Sequence, residues 1–578
     1  MSDLQIKKNP KEYDVCIVGS GAGGGMAAKI LADSGAKVVV LEAGPWFDSA
    51  DGEMFKWPYQ SPRRGASTHR PFGEFDAAYG GWEIEGEPYT RVQGTQFDWF
   101  RSRMLGGRTN HWGRISLRFG PLDFKRKTHD GLGDDWPISY DDIKPYYDKV
   151  DQLVGIFGSK EGIYNEPDGI FMPPPKPRGY ELLIKESCQK INIPIIPNRL
   201  SIITQPLNGR AACHYCAQCN RGCSTYSNFS SPPVLLMPAQ KTGNVDIIIH
   251  AMAREVTTDK NGLATGISYV NTQDMMEYQV KAKNVILAAS ACESARILLN
   301  SKSSRFPNGL ANTSDLIGKY LMDSTGASRS GFIPKLVDYI PHNEDGTGGA
   351  HLYIPWWLDN KKLDFPRGYH IELGGGRRMP SYGFMGGIQN INQWLGELDG
   401  NPRPKGGGGY GADLKNDYRR LFGAVVGFAG RGEPVALKSN YCEIDPNVVD
   451  KFGIPVLRFN YKWTDHEVLQ AKHMQDTFEE IIHNMGGTPL GQKPGKEDDY
   501  GLAAPGRIIH EVGTTRMGKS AKDSVLNSFC QAHDVKNLFV VDGGSFVSMA
   551  DKNPTWTILA LSWRTSDYII EQTKQKNL

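Results

Sequence analysis

One stretch near the start of the chain, residues 13–44, constrains the expected fold more than any other. A short apolar, β-branched run (Tyr13–Val18) leads into a glycine-rich turn (Gly19–Gly24), then into small and apolar residues at helical spacing and a second apolar run that ends at Glu42. Glycines at the first, third and sixth positions of a GxGxxG turn let the backbone approach a pyrophosphate at the N-terminus of the next helix. An acid after the second strand is placed to accept a hydrogen bond from a ribose hydroxyl. The stretch therefore predicts a dinucleotide site and leaves NAD and FAD both open. The predicted cofactor contacts are Gly19, Gly21, Ala22, Gly24 and Glu42.

Composition excludes several classes of function. The chain has 578 residues, 22% of them charged, and a formal net charge of only +2, so no nucleic-acid or membrane-surface binding is expected from charge. It has no run of eighteen apolar residues that could span a bilayer. Residues 1–9 are polar and lack the apolar core of an export signal, so the chain is expected to carry no such signal and to be cytoplasmic by sequence.

Later stretches predict that the first domain is completed by distant parts of the chain. Residues 244–256 and 262–270 have the pattern of paired strands, 285–289 form a buried strand followed by a helix to Leu299, and 537–543 form another buried strand. Such content completes a doubly wound α/β domain, which makes the predicted fold a discontinuous Rossmann-like domain.

The middle of the chain differs in character. From about residue 329 to 500, glycine-rich turns, aromatics and alternating runs predict a second, mainly antiparallel-sheet domain that faces the substrate. Thr464–Met485 has the spacing of an amphipathic helix. The predicted division is 10–328 for the first part of the cofactor domain, including a cysteine-rich insertion at 210–225, then 329–500 for the substrate domain and 501–578 for the return segment. In the return segment Pro554 suits the first helical position, and Asn553 stands where a cap belongs.

Four of the nine cysteines are clustered as Cys213-x-x-Cys216-x-x-Cys219-x-x-x-Cys223. Thiolates at such density are typical of metal ligands, and zinc usually takes two pairs separated by a longer loop. Two gaps of two residues and one of three instead match the run that holds iron–sulfur clusters in bacterial ferredoxins, although Ser224 stands where a proline usually follows. The spacing favours one cluster of three or four irons (3Fe-4S or 4Fe-4S), with structural zinc as the alternative.

Taken together, the motifs resemble the glucose–methanol–choline (GMC) oxidoreductases, FAD enzymes that oxidise alcohols. The resemblance covers nearly the whole chain and rests on Gly19–Gly24 with Glu42, on Leu105–Gly113, on the strand and helix at 285–299, on the His510–Gly518 segment and on Asp542-Gly543 followed by Asn553-Pro554. It implies FAD rather than NAD. Further flavin contacts implied by the resemblance are Gly106, Gly107, Thr109, Asn110, His111, Val256, Asp542, Gly543 and Thr555.

The resemblance also implies the catalytic pair. Two side chains face the flavin in that family, and here they match His510 and Asn553. A histidine near neutral pKa is suited to take the hydroxyl proton during hydride transfer, and an asparagine amide can hold the alcohol oxygen. His111-Trp112 resembles the His-Trp of pyranose oxidases, in which the histidine is bonded to the flavin. Non-covalent contact is expected here because Arg108-Thr109-Asn110 departs from that pattern.

Some bacterial GMC sugar dehydrogenases carry one iron–sulfur cluster in this part of the chain. The resemblance therefore implies a dehydrogenase that passes electrons through a cluster to an external acceptor, such as a cytochrome c or a quinone-linked partner. Such enzymes often work with a small subunit that bears the export signal, so co-export to the periplasm is a second expectation. A pyranose-oxidase-like enzyme using oxygen is an alternative, and a non-catalytic flavin and metal redox protein is an alternative of a different class.

The substrate is the least constrained part of the prediction. The resemblance is closest to bacterial glucoside 3-dehydrogenases, which oxidise a ring hydroxyl to a 3-keto sugar, with gluconate and sorbitol dehydrogenase subunits as the alternative. A sugar or glycoside is the expected small-molecule partner. Aromatic and hydrogen-bonding residues of the predicted sheet domain suit a sugar-binding surface: His351, Trp356, Trp357, His370, Glu372, Arg377 and Gln389.

Overall fold

A computed structural model describes residues 11–51, 79–337, 339, 346–376, 411, 412, 415 and 423–578. Within these ranges the α-helices are α1 (Ala22–Asp33), α2 (Arg126–Asp130), α3 (Tyr140–Val154), α4 (Gly179–Lys190), α5 (Met237–Gln240), α6 (Ala291–Asn300), α7 (Asp465–Asn484) and α8 (Thr555–Lys574). The strands are β1 (Glu12–Val18), β2 (Val38–Leu41), β3 (Gly80–Gly81), β4 (Thr90–Arg91), β5 (Arg101–Ser102), β6 (Ile196–Pro197), β7 (Val245–Ile248), β8 (Ala251–Thr258), β9 (Ala264–Asn271), β10 (Glu277–Leu287), β11 (Thr325–Phe332), β12 (Leu352–Ile354), β13 (Tyr369–Gly374), β14 (Val425–Gly432), β15 (Tyr441–Val449), β16 (Pro455–Asn460), β17 (Thr488–Pro489) and β18 (Leu538–Val540). No helix in these ranges is both long and apolar enough to cross a membrane.

A seven-stranded sheet forms the first half of the molecule. Its order is β7-β2-β1-β10-β9-β8, and β18 pairs with β10 as well. The contacts among β7, β2, β1, β10 and β18 are parallel, whereas β9 joins β10 and β8 as an antiparallel hairpin. The parallel strands are apolar and buried where helices cover them, over β2 and the C-terminal ends of β1 and β10, with α1 packed against α8. The predicted discontinuous Rossmann-like domain is confirmed.

A six-stranded antiparallel sheet, in the order β17-β11-β14-β13-β12-β6, forms the second half. One face carries apolar side chains that pack against α4 and α7. The alternate residues of the strands face the other way, toward the first sheet, because side chains alternate across a strand. The second layer therefore presents polar side chains to the region between the two sheets.

The helix predicted over Thr464–Met485 is observed as α7, with Thr464 as its N-cap and Met485 as its C-cap. Two local predictions are wrong. Residues 244–256 do not form one strand, because the chain turns at His250, whose φ is +58°, and separates β7 from β8. Asn553 does not cap α8: the N-cap position belongs to Pro554, and no side chain caps the helix. The Asn553 amide is therefore available for other contacts.

Candidate active site

A cavity of about 590 Å³ lies between the glycine-rich turn of the first sheet and the polar face of the second. Most of the predicted site residues line it: Gly19, Gly21, Ala22, Glu42, Gly107, Thr109, His111, Cys216, His510, Asp542, Gly543, Asn553 and Thr555. The remaining ones are not part of its lining: Gly24, Gly106, Asn110, Cys213, Cys219, Cys223 and Val256. Strand β8 instead reaches the cavity through Ala251, Met252 and Ala253.

The glycine-rich turn leaves room for a ligand only because it lacks side chains. Gly19 has a φ of +97°, and a Cβ there would lie 2.3 Å from the carbonyl oxygen of Ala288. A Cβ on Gly24 would lie 1.9 Å from the carbonyl oxygen of Gly19, so that glycine lets α1 pack onto the turn. Gly21, at the N-terminus of α1, faces open space. Open backbone at a helix N-terminus fits the pyrophosphate of a dinucleotide such as FAD.

Ser20 links the two loops that border this end of the cavity. Its hydroxyl donates to the carboxylate of Glu42 and accepts a hydrogen bond from the Gly106 N–H at 2.8 Å. Glu42 also accepts from the Gly44 N–H at 2.9 Å, and burial raises the pKa of its carboxyl group. Ser20 was not identified from the sequence, because its role depends on the contact with a loop more than eighty residues away.

The loop that follows Gly106 is a 3₁₀ turn over Gly107–Asn110. Thr109 donates to the Gly106 carbonyl at 2.6 Å and accepts from the Ser231 N–H at 2.9 Å. The Asn110 amide donates to the Leu105 carbonyl at 2.8 Å, so this side chain supports the loop rather than lining the cavity. Burial lowers the pKa of His111 to about 3, which keeps its ring neutral beside the cavity.

Asp542 and Gly543 lie where the return segment meets the cavity, directly after β18. The Asp542 carboxylate accepts from the Ser294 hydroxyl at 2.5 Å and from the Gly544 N–H at 2.8 Å. Burial raises the pKa of this carboxyl group to about 6. The segment is thus tied to α6, which itself follows β10.

His510 and Asn553 meet at the other end of the cavity. The Asn553 Nδ2 atom lies 3.3 Å from His510 Nε2, and the Ser324 hydroxyl lies 2.9 Å from His510 Nδ1. Since an amide nitrogen only donates, Nε2 accepts and carries the lone pair, and the ring proton is on Nδ1 facing Ser324. Burial lowers the pKa of His510 to about 3, so the ring is neutral near pH 7. A neutral imidazole with an unprotonated Nε2 can accept a proton.

The backbone around His510 is held in a strained conformation. Ile509 has a φ of +67°, which is a rare conformation for a β-branched residue. Arg108 donates to the Ile509 carbonyl at 3.0 Å and pairs with Glu511. The Asp323 carboxylate accepts from the N–H groups of Ile508 at 3.2 Å and His510 at 2.8 Å. These contacts fix the direction of the His510 ring, and none of them has a sequence pattern that could have predicted it.

Only part of the predicted sugar-binding surface reaches the cavity. Glu372, on β13, lines the cavity together with Arg431 on β14, which was not identified from the sequence. Trp356 and Trp357 instead pack beside the second core, and His351 is a buried residue bonded to the Lys176 carbonyl at 2.7 Å. Arg377 and Gln389 lie outside the described residues.

The cysteine-rich segment borders the same cavity through Cys216. Tyr215 and Ala217, on either side of it, both have a φ of +57°. Cys213 Sγ accepts from the Tyr215 N–H at 3.3 Å, and Cys219 Sγ accepts from the Gly348 N–H at 3.4 Å. Within the described ranges no group of three or more His, Cys, Asp or Glu side chains is arranged to hold a metal ion. The donor atoms suit iron, but the arrangement is not that of a formed metal site.

Two buried arginines lie beside these thiols. Arg114 is fully buried, donates to the Asn110 and Trp112 carbonyls, and is within electrostatic range of Cys219 and Cys223. Arg210 is also buried, donates to the carbonyls of Val154 and Tyr226, and is within range of Cys223. Neither guanidinium has a carboxylate partner among the described residues. An anionic group at the cysteines would balance this charge.

Comparison with known proteins identifies the family. Two family models described as GMC oxidoreductase match the chain, one over residues 23–324 and the other over residues 438–562. The chain belongs to the GMC oxidoreductase family. Members of this family bind FAD and act on the CH–OH groups of alcohols and sugars, in agreement with the glycine-rich turn and the His510–Asn553 pair.

The relatives span the whole chain. A 2-methyl-1,2-propanediol dehydrogenase of Mycolicibacterium austroafricanum is 29% identical, over 96% of this chain and 95% of its own length. The large subunit of a fructose dehydrogenase of Gluconobacter japonicus is 25% identical, over 97% of this chain and 98% of its own. The crystal structure of pyridoxine 4-oxidase from Mesorbium loti has the same fold, with a TM-score of 0.62 at 17% identity, covering 96% of this chain and 99% of that one.

Proposed function

We propose that this GMC oxidoreductase is a dehydrogenase that oxidises a secondary hydroxyl of a sugar or glycoside, with a 3-keto product. The observation that carries the proposal is the pair formed by His510 and Asn553 beside a cavity end that also holds Glu372 and Arg431. A charged, hydrogen-bonding wall next to the proton acceptor suits a polyhydroxylated substrate better than an alkyl alcohol. The names of the relatives, a diol dehydrogenase and a fructose dehydrogenase, support this substrate class.

His510 and Asn553 have separate roles in the proposed reaction. When bound, FAD supplies the acceptor for the hydride that leaves the alcohol carbon. His510 Nε2 takes the hydroxyl proton, and the Asn553 Nδ2–H donates to the hydroxyl oxygen, which becomes the carbonyl oxygen. The hydroxyl replaces the direct contact of 3.3 Å between the two side chains. Because His510 and Asn553 hold the hydroxyl oxygen, they also orient the C–H bond of the carbon that carries it while the proton leaves.

We also propose that Cys213, Cys216, Cys219 and Cys223 hold one iron–sulfur cluster of three or four irons. When bound, such a cluster would accept single electrons and could pass them to a cytochrome c or quinone-linked acceptor. Support comes from the ferredoxin-like spacing, from the position of Cys216 at the cavity and from the unbalanced charges of Arg114 and Arg210. A small partner subunit with an export signal, and hence a periplasmic location, remains part of the proposal.

The substrate class is tested by anaerobic dye reduction with glycosides, free sugars, polyols and aldonates, and the keto carbon is located by NMR. We expect glycosides to reduce the dye and a ring ketone to appear. Turnover of simple monoalcohols alone would contradict the sugar assignment. His510→Ala tests the catalytic assignment: it should keep FAD but lose about 10²–10⁴-fold in the rate of flavin reduction, as expected when a general base is removed.

The cluster is tested by metal analysis of protein prepared without oxygen. We expect iron and acid-labile sulfide, together with an absorption shoulder beyond the flavin bands. Replacing Cys216 and Cys219 with serine should remove the iron, because a hydroxyl is a much poorer ligand for iron than a thiolate. The double variant should still reduce its flavin with substrate in a single turnover, since neither cysteine is among the predicted flavin contacts. Stoichiometric zinc without iron would contradict the cluster.

A further inference from the structure

Glu372 is a partly buried carboxylate, with 21% of its side chain exposed, and its hydrogen-bonding capacity is only partly used. It lies on β13, where Ile371 and Leu373 face the second core and Glu372 faces the cavity. Its Oε1 atom is 3.4 Å from Asn553 Nδ2, and also 3.4 Å from His370 Nε2. Its Oε2 atom is 3.5 Å from a guanidinium nitrogen of Arg431. Charge-assisted hydrogen bonds are usually about 2.7–2.9 Å long, so all three contacts are loose.

Carboxylates that are more deeply buried than Glu372 are held more tightly. Asp450, for example, is 2.7 Å from a guanidinium nitrogen of Arg296 and accepts further hydrogen bonds at 2.9 Å from backbone N–H groups. A carboxylate that served only to hold the fold would be expected to have such contacts. The long contacts around Glu372 therefore leave its oxygens free to accept a stronger hydrogen bond from a ligand in the cavity.

The neighbours of Glu372 keep it in the anionic form. Burial opposes ionisation, but Arg431 and His370 outweigh it and hold the pKa of Glu372 at about 2. His370 contacts the Asp551 carbonyl through Nδ1 and Glu372 through Nε2. Glu372 is thus an acceptor-only group between the guanidinium of Arg431 and the ring of His370.

The position of Glu372 relative to His510 suggests what it binds. One amide nitrogen, Asn553 Nδ2, lies 3.3 Å from His510 Nε2 and 3.4 Å from Glu372 Oε1. A hydroxyl oxygen held by this nitrogen and by His510 is therefore next to the carboxylate. Two hydroxyls on neighbouring carbons, gauche to each other, can therefore contact His510 and Glu372 at the same time. Asn553 Oδ1 is buried and has no hydrogen-bond partner in the part of the chain that the structure describes, so it adds a further acceptor at the same place.

We propose that Glu372 accepts a hydrogen bond from the hydroxyl next to the one that is oxidised, so that the enzyme selects vicinal diols. This inference rests on the proposed oxidation of a sugar hydroxyl by His510 and Asn553, and it names the part of the substrate that is recognised. Arg431 orients the carboxylate, and its guanidinium can donate to the same hydroxyl oxygen. A substrate without that hydroxyl covers the Glu372 carboxylate but leaves it with only its loose contacts, which is costly.

The test compares a methyl glycoside that reduces the flavin with its two deoxy analogues, each lacking one hydroxyl next to the oxidised carbon. Flavin reduction is followed anaerobically by stopped flow in the parent protein and in Glu372→Gln. In the parent, one deoxy analogue should lose about 10²-fold in kred/Kd, because a charged acceptor in the cavity wall is left with only its loose contacts. In Glu372→Gln the same pair of substrates should differ by less than about threefold, since a neutral amide tolerates the loss better.

Glu479→Gln is the matched control, because Glu479 is a carboxylate of the same sheet domain that pairs with Arg329 and does not line the cavity. In Glu479→Gln, the ratio of kred/Kd between the glycoside and the deoxy analogue should be that of the parent protein. Glu372→Asp keeps the negative charge but moves it away from the cavity, because its side chain is one methylene shorter. It should give an intermediate ratio of kred/Kd, and it replaces Glu372→Gln if that variant does not retain FAD.

Three results would overturn the inference. The first is an equal kred/Kd for the two deoxy analogues in the parent protein, and the second is a ratio of glycoside to deoxy analogue that does not change in Glu372→Gln. The third is an equal slowing of all substrates in Glu372→Gln, which would mean that Glu372 only positions Asn553. If no sugar reduced the parent flavin while monoalcohols did, the proposed function itself would fail, which is a distinct outcome.

Discussion

Ser324 can accept a hydrogen bond from the Nδ1 proton of His510 and so supports the tautomer that the Asn553 amide requires. Its hydroxyl is 2.9 Å from Nδ1, on the side of the ring opposite Asn553. As long as Nδ1 has an acceptor there, the protonated Nδ1 tautomer is favoured and Nε2 stays free for the substrate. Ser324 does not touch the reacting atoms, so we regard it as a positioning residue.

Ser324→Ala is expected to slow flavin reduction about 3- to 10-fold, which corresponds to the loss of one hydrogen bond. FAD content should not change. The effect should appear in the limiting rate rather than in substrate affinity, because the base is misoriented while the binding contacts remain. Ser328→Ala, at an exposed position of β11, is the control and should behave like the parent. Equal rates for Ser324→Ala and the parent would show that the tautomer is set elsewhere.

The lowered pKa of His510 has a consequence for the pH dependence. The ring must be neutral to accept a proton, so activity is present above its pKa and is lost as pH falls through it. Burial places this pKa at about 3, below the usual value of about 6.5. In pH-jump stopped flow, the rate of flavin reduction should therefore change little between about pH 8 and pH 5. An acidic limb centred near pH 6.5 would contradict the burial of the base.

At the scale of single elements, the turn between β1 and α1 needs a glycine because another part of the backbone lies very close to it, and not because glycine is flexible. Two glycines flank α1 with nearly the same positive φ: Gly19 at +97° and Gly35 at +92°. A Cβ on Gly19 would collide with the Ala288 carbonyl, whereas a Cβ on Gly35 would meet nothing within 4 Å. Alanine substitutions at the two glycines therefore distinguish the energetic cost of a strained backbone from the cost of moving β1 away from β10.

Gly35→Ala should therefore destabilise the protein by about 1–2 kcal/mol, the cost of a left-handed conformation for an ordinary residue, and keep its FAD. Gly19→Ala has the same backbone cost and in addition forces two parallel strands apart, so it should lose FAD and unfold at a clearly lower temperature. FAD content by absorbance and thermal unfolding are the measurements. Retention of FAD in Gly19→Ala would show that the turn can move without losing the cofactor.

The elements that the sequence predicted well are those with local signals. The β1–α1–β2 unit and α7 have hydrophobic periodicity and, in α7, a cap at Thr464, and both are observed. The break at His250 was missed because nothing in an apolar run marks a single left-handed residue. Asn553 was predicted as a cap from its position before Pro554, but long-range contacts to His510 and Glu372 determine its orientation.

The residues of the candidate site divide in the same way, into those with a local sequence signal and those placed by long-range contacts. The glycines and the His510–Asn553 pair could be predicted because they belong to motifs. Asp323, Ser324 and Arg431 could not, since each acts through a contact with a residue far away in the chain. Among the aromatics of the second domain, composition alone could not tell which side of the sheet Trp356 and Trp357 occupy.

At the scale of the whole molecule, a buried network of charges joins the three segments of the chain. Lys552, from the return segment, is 2.5 Å from Asp551 and 3.3 Å from Asp123 of the first segment, with Glu166 at 3.6 Å. Asp123 also pairs with Arg126, which contacts Glu433, the residue that follows β14. The network lies directly before Asn553. It therefore fixes the Asn553 amide, which we propose to be catalytic, relative to both sheets.

Lys552→Met should be strongly destabilising, because it removes the cation that contacts the buried carboxylates of Asp551, Asp123 and Glu166. The expected loss is about 3–5 kcal/mol in the free energy of unfolding, the usual effect of breaking a buried ion pair from one side. Flavin reduction should also slow in the variant that remains folded, since the backbone that carries Asn553 is released. Chemical denaturation and stopped flow measure the two effects.

Lys149→Met is the matched control, because Lys149 forms a partly exposed pair with Asp567, at 2.9 Å, on the surface between α3 and α8. Exposed pairs contribute only about 0.2–1 kcal/mol, so this variant should be nearly as stable and as active as the parent. High salt should weaken the Lys149 pair but not the Lys552 network, which is screened little because water does not reach it. If both substitutions had equally small effects, the carboxylates around Lys552 would have to be protonated in the folded protein. Asn553 would then be held by packing rather than by charge.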